Sequence, residues 1–361
     1  MSRLHDLYSQ HQQSPWLDNI NRQWLQDGTL ARWINDGVRG ITSNPSIFQK
    51  AITSSDLYDE QFRSLRQQGL SIEDCYWELV CRDIKDAATA LTPLYETSNG
   101  LDGYVSIEVS PHLAHDGPRT AEAARALFRK VNMPNIYIKI PGTKACVPVI
   151  ADMIAEGINV NVTLLFSAAR YEEVMHAYID GLERCNKPLG SVSSVASFFI
   201  SRIDSAVDAR ATEVGRTDLC GVAAIANAKA AYARFTSIFS GPRWQALTEK
   251  GAEVQRPLWA STSTKNPAYP DTLYVDELIG PNTVNTIPDS TLLAFLERGS
   301  LADTLMRDQS QAHSVLSELA AVGISLDEIT AQLEIDGVQS FIDSFDDLLA
   351  ALAAKDQQFS A

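Results

Sequence analysis

The sequence predicts an α/β fold of the (β/α)8 TIM-barrel class, with additional helices at both ends of the chain. Eight short segments of strand composition alternate with segments of helical periodicity, which is the pattern of a parallel sheet closed into a barrel. No glycine- or serine-rich linker divides the 361 residues. We therefore expect one domain over residues 1–361, with a helical extension over about 290–361.

Each predicted strand is a short β-branched or aromatic run that ends at turn residues. The predicted strands are 14–18, 38–42, 103–110, 135–140, 159–165, 190–197, 256–262 and 282–287. The predicted helical segments are 20–30, one that begins at residue 47, 55–98, 118–131, 143–156, 199–250 and a tail from 290 to about 354.

The net charge of the chain limits which kinds of molecule it is expected to bind. Thirty basic and 45 acidic residues give a net charge of −15, which argues against nucleic acid and anionic membranes but allows a phosphate held by a few local cations. We find no bilayer-length apolar run and no signal-peptide core, and the five cysteines are scattered without a CxxC pair. We expect a cytoplasmic protein with reduced thiols and no metal site.

Lys139 is the exceptional residue of the fourth strand. Ile136, Ile138 and Ile140 share one face of this strand, and Tyr137 and Lys139 share the other. A lysine among apolar neighbours near the carboxyl end of a barrel strand has its ammonium form disfavoured, which frees the amine to attack a carbonyl. The alternative is a lysine whose stem packs while its head reaches solvent at the rim.

Polar side chains recur on the same face of successive strands. The polar residues that share such a face are Ser106 and Glu108 on the third strand, Lys139 on the fourth, Asn161 and Thr163 on the fifth, and Ser197 on the sixth. Because barrel interiors are normally filled by branched apolar side chains, a polar set on four strands predicts a site at the barrel centre.

Four motifs resemble those of the transaldolase family. Gly40–Ser46, followed by Ile-Phe, is similar to the first family signature, and Ile136–Pro141 is similar to the second, which contains a Schiff-base lysine. Val105–Val109 and Asn161–Ser167 resemble the strands that supply a catalytic glutamate and a water-holding threonine. The motifs follow family order and span about residues 15–290, which is typical of the longer-chain, Schiff-base-forming members.

The resemblance implies a transferase of the pentose phosphate pathway and of carbohydrate metabolism. It would move a dihydroxyacetone unit from sedoheptulose 7-phosphate to glyceraldehyde 3-phosphate, giving erythrose 4-phosphate and fructose 6-phosphate. Lys139 would form the imine, Asp18 would handle the sugar hydroxyl proton, and Glu108 and Thr163 would hold the water of imine formation and hydrolysis. An imine is itself the electron sink, so this chemistry implies no cofactor and no metal.

The resemblance also implies substrate-binding residues. Asn44 and Ser197 would hydrogen-bond the dihydroxyacetone unit, and Arg202 would bind phosphate through its planar fork, with Ser261 as a further donor. Each position has a simpler reading, for example Asn44 as a turn residue, Asp18 as a helix N-cap, or the cations as solvated surface charges.

One position departs from the family pattern. Shorter transaldolases carry a second phosphate-binding arginine where this chain has Ser263, and Lys265 is the nearby cation that would replace it. The details of phosphate binding are therefore left open by the sequence, as is the choice between a monomer and a homodimer.

Two alternative functions remain. A fructose 6-phosphate aldolase shares the fold and lysine but releases free dihydroxyacetone, and such relatives carry tyrosine where this chain has Phe199. Since a phenyl ring cannot help to position a hydrolytic water, Phe199 favours transfer. A non-catalytic barrel that binds sugar phosphates is the other alternative, because fold alone does not establish activity.

Overall fold

A closed barrel of eight parallel strands forms the centre of the molecule in the computed structural model, which describes residues 2–360. Each strand pairs with the next in chain order, and the eighth pairs with the first. The strands are β1 Gln13–Leu17, β2 Gly40–Ile41, β3 Tyr104–Glu108, β4 Ile136–Pro141, β5 Val160–Leu165, β6 Ser194–Phe199, β7 Arg256–Ala260 and β8 Thr283–Ile287. The predicted fold class is confirmed.

Helices surround the barrel and extend past it at both ends. Within the described residues they are α1 Arg3–His11, α2 Arg22–Gln26, α3 Thr29–Asn35, α4 Pro45–Thr53, α5 Asp59–Gln67, α6 Ile72–Thr97, α7 Gly117–Val131, α8 Val147–Ala155, α9 Ala168–Arg184, α10 Ser201–Glu213, α11 Ala223–Ile238, α12 Pro242–Thr248, α13 Leu273–Asp276, α14 Asp289–Arg298, α15 Gln309–Ala321 and α16 Leu326–Ser360. None of these helices combines the length and the apolarity needed to cross a lipid bilayer.

Some predicted boundaries differ from the observed ones. The predicted helix over 20–30 is two helices, because the chain breaks at Gly28, whose φ of +80° is a left-handed conformation that favours glycine. The sixth strand begins at Ser194, later than residue 190, because Leu189–Ser191 forms a 3₁₀ turn. The helical stretch over 199–250 is divided among α10, α11 and α12.

Bulky and charged side chains fill the amino-terminal end of the barrel. Tyr137 stacks between Trp16 and Tyr104, with ring centroids 5.9 and 4.3 Å apart. Asp102 accepts a hydrogen bond from the Trp16 indole and forms a buried ion pair with Arg256 at 3.1 Å. With this end packed, an accessible site has to lie at the carboxyl end, where barrel enzymes keep their chemistry.

Helix α16 lies across the carboxyl end of the barrel. Its Phe345 ring meets Tyr76 of α6 edge to face at 5.2 Å, and Ser344 shares a hydrogen bond with Ser46 of α4 at 2.7 Å. In the structure the extension covers one side of the barrel mouth.

Candidate active site

A cleft opens at the carboxyl end of the barrel. It collects side chains from α16 and from six strands or the segments that directly follow them. Its lining residues are Asp18, Thr42, Asn44, Ser46, Lys139, Ser197, Phe199, Arg202, Ala260, Ser261, Ser263, Lys265, Thr286, Pro288 and Phe341. Eight of the ten predicted site residues are among them, and the other two, Glu108 and Thr163, are buried beside the cleft.

Lys139 lies in the cleft near the end of β4. In the strand register it is level with Glu108 of β3 and Asn161 of β5, so three polar side chains share one layer of the barrel interior. The lysine is only 4% exposed, and its Nζ donates a hydrogen bond to the Ser43 carbonyl oxygen at 3.1 Å. The side chain is therefore held inside the barrel, and the alternative in which its head reaches solvent is wrong.

Glu108 is the counter-charge of Lys139. Its Oε2 lies 3.3 Å from Lys139 Nζ, and both side chains are almost fully buried. Burial raises the pKa of Glu108 above its usual range, and the neighbouring lysine charge opposes that shift. A carboxyl group poised in this way can hold or release a proton at the lysine nitrogen.

One oxygen of this pair and a buried threonine oxygen have no hydrogen-bond partner among the described residues. They are Glu108 Oε2, whose contact with the lysine is poorly aligned for a hydrogen bond, and Thr163 Oγ1. In the strand register Thr163 pairs with Pro141, which is two residues beyond Lys139 on β4. Thr163 therefore lies one layer closer to the barrel mouth than Lys139. Buried polar atoms normally have partners, so these oxygens are suited to bind a small polar molecule.

Asp18 lies at the opposite side of the cleft floor, directly after β1. Thr42 Oγ1 donates to its Oδ1 at 2.7 Å, and Thr42 in turn shares a hydrogen bond with Thr286 at 2.5 Å. Burial raises the pKa of Asp18, and the charge of Lys139 and the bond from Thr42 oppose that shift only in part. The simpler reading of Asp18 as an N-cap is wrong, because Asn21 caps the following helix.

Asn44 caps helix α4 and also lines the cleft. Its Oδ1 accepts a hydrogen bond from the Ile47 amide at 2.9 Å and so caps α4, as the turn-residue reading expected. The side chain also lines the cleft, and its amide nitrogen has no partner among the described residues. That nitrogen is oriented by the cap and free to donate.

Ser197 is held by a chain of hydrogen bonds across three strands. Its Oγ donates to Asn161 Oδ1 at 2.7 Å, and Asn161 Nδ2 donates to Ser106 Oγ at 3.0 Å. The predicted polar interior of the barrel is therefore hydrogen-bonded across its strands. The chain fixes the hydroxyl of Ser197 at the wall of the cleft beside Lys139.

Two cations mark the outer end of the cleft. Arg202 is in the first turn of α10, and its guanidinium lies 5.5 Å from the Phe199 ring centroid. Burial lowers the pKa of Arg202, and partial desolvation and the Arg202 charge lower the pKa of the more exposed Lys265. Asp336 opposes the shift of the Arg202 pKa and Asp18 opposes that of Lys265, each only in part. The positive charge at this end is therefore not fully compensated, which suits it to an anion.

Hydroxyl groups accompany these cations. Lys265 Nζ donates to Ser263 Oγ at 2.8 Å, and the hydroxyls of Ser261 and Ser201 are 2.9 Å apart. Ser261 has a φ of +57°, an uncommon conformation for a residue other than glycine, which turns the chain at the end of β7. The position that departs from the family pattern, Ser263, thus lies in the cleft and contacts the cation expected to replace the arginine.

Sequence reasoning missed several cleft residues. Thr42 and Thr286 lie at the carboxyl ends of their strand segments, and the polar alternation used for other strands could have found them. Phe341 has no such signal, because it comes from a helix about 200 residues further along the chain than Lys139. Only the packing of α16 reveals it.

Comparison with known proteins decides the family. The sequence model of the family described as transaldolase/fructose-6-phosphate aldolase matches residues 15–352.

The chain belongs to the transaldolase/fructose-6-phosphate aldolase family.

Curated members of this family align with nearly the whole chain. A transaldolase of Frankia alni is 47% identical over 346 residues, covering 94% of this chain and 93% of the relative. A transaldolase of Thermobifida fusca is 46% identical over 354 residues, with 96% and 95% coverage. Transaldolase 2 of Streptomyces coelicolor is 44% identical over 348 residues, with 94% coverage of each chain.

Family membership leaves the roles of individual residues as predictions. The structure brings the ten predicted residues to one end of the barrel, eight of them on the surface of one cleft. In the described part of the chain no group of three or more His, Cys, Asp or Glu side chains is arranged to hold a metal ion. The cofactor prediction likewise stays a prediction.

Proposed function

We propose that this protein is a transaldolase that transfers a dihydroxyacetone unit from sedoheptulose 7-phosphate to glyceraldehyde 3-phosphate through a Schiff base on Lys139. The observation that carries the proposal is the buried Lys139–Glu108 pair on a cleft that also holds Asp18. Curated relatives named transaldolase over most of the chain support the activity.

Imine formation is the first step. The Lys139 amine adds to the ketose carbonyl, and the resulting carbinolamine loses water to give a protonated imine. Glu108, 3.3 Å from the nitrogen, takes and returns the proton that these steps move. Thr163 Oγ1 and Glu108 Oε2 are the buried oxygens that hold the departing water, which later hydrolyses the product imine.

Carbon–carbon cleavage uses the imine as an electron sink. Asp18 removes the proton of the hydroxyl on the carbon beyond the breaking bond, that hydroxyl becomes the aldehyde of erythrose 4-phosphate, and the bond electrons move into an enamine on Lys139. The enamine then adds to glyceraldehyde 3-phosphate, and Asp18 returns the proton to the new alkoxide. Hydrolysis of the imine releases fructose 6-phosphate and restores the lysine.

The far end of the cleft holds the phosphate of each sugar. Arg202 supplies a planar donor fork at the start of a 13-residue helix, where the helix dipole also favours an anion. Lys265 adds a second positive charge, with the hydroxyls of Ser261 and Ser263 as neutral donors. The substrate carbonyl and its phosphate are thus recognised at opposite ends of one cleft.

Two features weigh against the alternatives. Phe199 lines the cleft without a hydroxyl group that could position water, which weighs against a fructose 6-phosphate aldolase. The lysine, both carboxylates and the cations are all present and converge, which weighs against a non-catalytic barrel.

Product analysis tests the proposal. The enzyme is incubated with fructose 6-phosphate, with and without erythrose 4-phosphate. We expect sedoheptulose 7-phosphate to form in the first reaction and little free dihydroxyacetone in the second. Equal release of dihydroxyacetone in both reactions would favour the aldolase, and binding without either product would favour the non-catalytic barrel.

A further inference from the structure

Helix α16 approaches the barrel closely at a glycine. A Cβ placed on Gly337 would lie 3.1 Å from Leu164 Cδ2 and 3.5 Å from the Phe166 ring, so a larger residue there would have to displace the Leu164 side chain by a few tenths of an ångström. Leu164 and Phe166 are at the carboxyl end of β5, beside the cleft. Gly337 therefore marks the place where the helix packs closely against the end of β5.

Phe341 is one helical turn beyond Gly337 and shares its face of α16. Its ring is 4% exposed, lines the cleft, and has its centroid 5.9 Å from Lys139 Nζ. Phe199, 6% exposed, is the other aromatic side chain of the cleft lining. The reacting nitrogen thus lies in a space with one aromatic wall from β6 and a second from the C-terminal helix.

We propose that Phe341 is a specificity-determining residue that keeps bulk water from the Lys139 enamine, so that the dihydroxyacetone unit is transferred and not released. The inference rests on the proposed function, which supplies the enamine. An apolar ring beside the nitrogen excludes water without offering a group that could position or activate it. The buried polar atoms that handle the water of imine chemistry, on Glu108 and Thr163, are beside the cleft rather than on its surface.

The reaction that competes with transfer is hydrolytic release of free dihydroxyacetone. In release, the enamine carbon takes a proton from water, and the imine so formed adds the hydroxide equivalent of that water to become a carbinolamine. Loss of the amine then gives free dihydroxyacetone and the original Lys139. One water is consumed for each unit released, so the rate of release depends on the access of water to the enamine. Transfer to an aldehyde consumes no water at this stage.

The partition ratio between release and transfer measures this role. The full-length enzyme is given fructose 6-phosphate and a fixed concentration of erythrose 4-phosphate, and both free dihydroxyacetone and sedoheptulose 7-phosphate are quantified. For Phe341→Ala we expect the ratio of release to transfer to rise about tenfold. A residue that only stabilised the helix would change both rates together and leave their ratio unchanged.

Phe345→Ala is the matched control. Phe345 is on the same helix, is 2% exposed, and packs on Tyr76 outside the cleft lining. We expect it to destabilise α16 to a similar degree without raising the ratio. Equal ratios for both variants, or no rise in either, would overturn the proposal.

A third variant covers loss of folding. If circular dichroism shows that Phe341→Ala does not fold, Phe341→Leu decides the question, because leucine keeps most of the packing but covers less of the nitrogen. A rise in the ratio supports the proposal and an unchanged ratio overturns it. A wild-type enzyme that forms no sedoheptulose 7-phosphate would contradict the proposed function itself, which is a separate and recognisable result.

Discussion

Glu108 Oε2 lies 3.3 Å from Lys139 Nζ, in a pair of side chains that is almost completely withdrawn from solvent. Two opposite charges on neighbouring strands stabilise each other where either alone would be costly to bury. The same contact places a proton acceptor and donor at the nitrogen that would react. Removing either member therefore has a chemical consequence beyond its effect on stability.

Replacing Glu108 by Gln keeps the shape of the side chain but removes its charge and its proton-transfer capacity. We expect the rate of imine formation to fall by about 10²-fold, because the carboxyl group no longer shuttles the proton. Borohydride trapping of the imine at successive times in a single turnover measures this rate. Glu334→Gln, a change on α16 outside the cleft lining, is the control and should keep the wild-type rate. A wild-type rate in Glu108→Gln would remove Glu108 from the mechanism.

The role proposed for Asp18 predicts that the enzyme loses activity in acid. The pKa of Asp18 is raised above the ordinary value of 3.8, and only the carboxylate form can take the sugar hydroxyl proton, so activity is lost as the pH falls through this raised pKa. Thr42→Val removes a hydrogen bond that lowers this pKa, so the acid limb of kcat/KM should move to higher pH. Asp18→Asn should lower kcat by about 10³-fold.

The control for this pH profile is Thr89→Val, an exposed change on α6. Its acid limb should coincide with that of the wild type. An acid limb that stays in place in Thr42→Val, with the protein folded, would show that another group sets it.

If Lys265 binds the substrate phosphate, its removal should weaken substrate binding. Lys265→Ala should raise KM for fructose 6-phosphate about tenfold while changing kcat little, because the contact is made in both the bound substrate and the transition state. Lys265→Arg should restore most of the affinity. Arg202→Ala should have the larger effect, since Arg202 is more buried and lies in the first turn of α10. Equal KM values for Lys265→Ala and for the exposed-surface control Lys250→Ala would place the phosphate elsewhere.

Asp204, which lies outside the cleft lining, makes the stability of the fold depend on pH. It accepts hydrogen bonds from the Ala224 amide at 2.7 Å and the Tyr274 hydroxyl at 2.8 Å, and burial raises its pKa from 3.8 to about 6. The protonated form is the one favoured in the folded state. The contribution of Asp204 to the free energy of unfolding is therefore fully present below pH 3.8 and is lost as the pH rises through about 6.

The difference between wild type and Asp204→Asn isolates this effect. Because the amide does not titrate, the free energy of unfolding of the variant relative to the wild type should rise by about 2 kcal/mol from pH 4 to pH 7. Urea unfolding at several pH values measures it. A difference that does not change with pH would show that Asp204 does not titrate in this range.

The sequence predicts the barrel well because the pattern that reveals each strand lies within a few consecutive residues. A polar residue at every second position of a strand is visible without any structure, and parallel strands bring such residues to one interior, as with Glu108, Lys139 and Thr163. The strand register then aligns Lys139 with Glu108 and Asn161, as the shared face implied. Short motifs at strand ends supplied the rest of the predicted site.

The parts that could not be predicted depend on long-range packing. Phe341 reaches the cleft because α16 packs against the end of β5, with Gly337 at the close approach, and no local pattern connects this helix to residues near position 139. The break in the predicted helix over 20–30 depends on Gly28, whose left-handed conformation one sequence cannot reveal. The hydrogen bond between Thr42 and Thr286 likewise joins segments that are 244 residues apart along the chain.

The central claim is that Lys139 forms a covalent imine with the ketose, and one measurement tests it most directly. The protein is incubated with fructose 6-phosphate, reduced with borohydride, digested, and mapped by peptide mass spectrometry. We predict a reduced dihydroxyacetone adduct on Lys139, absent from Lys139→Met and present in the control Lys250→Ala. An adduct on another lysine, or no adduct although the substrate is shown to bind, would contradict the account.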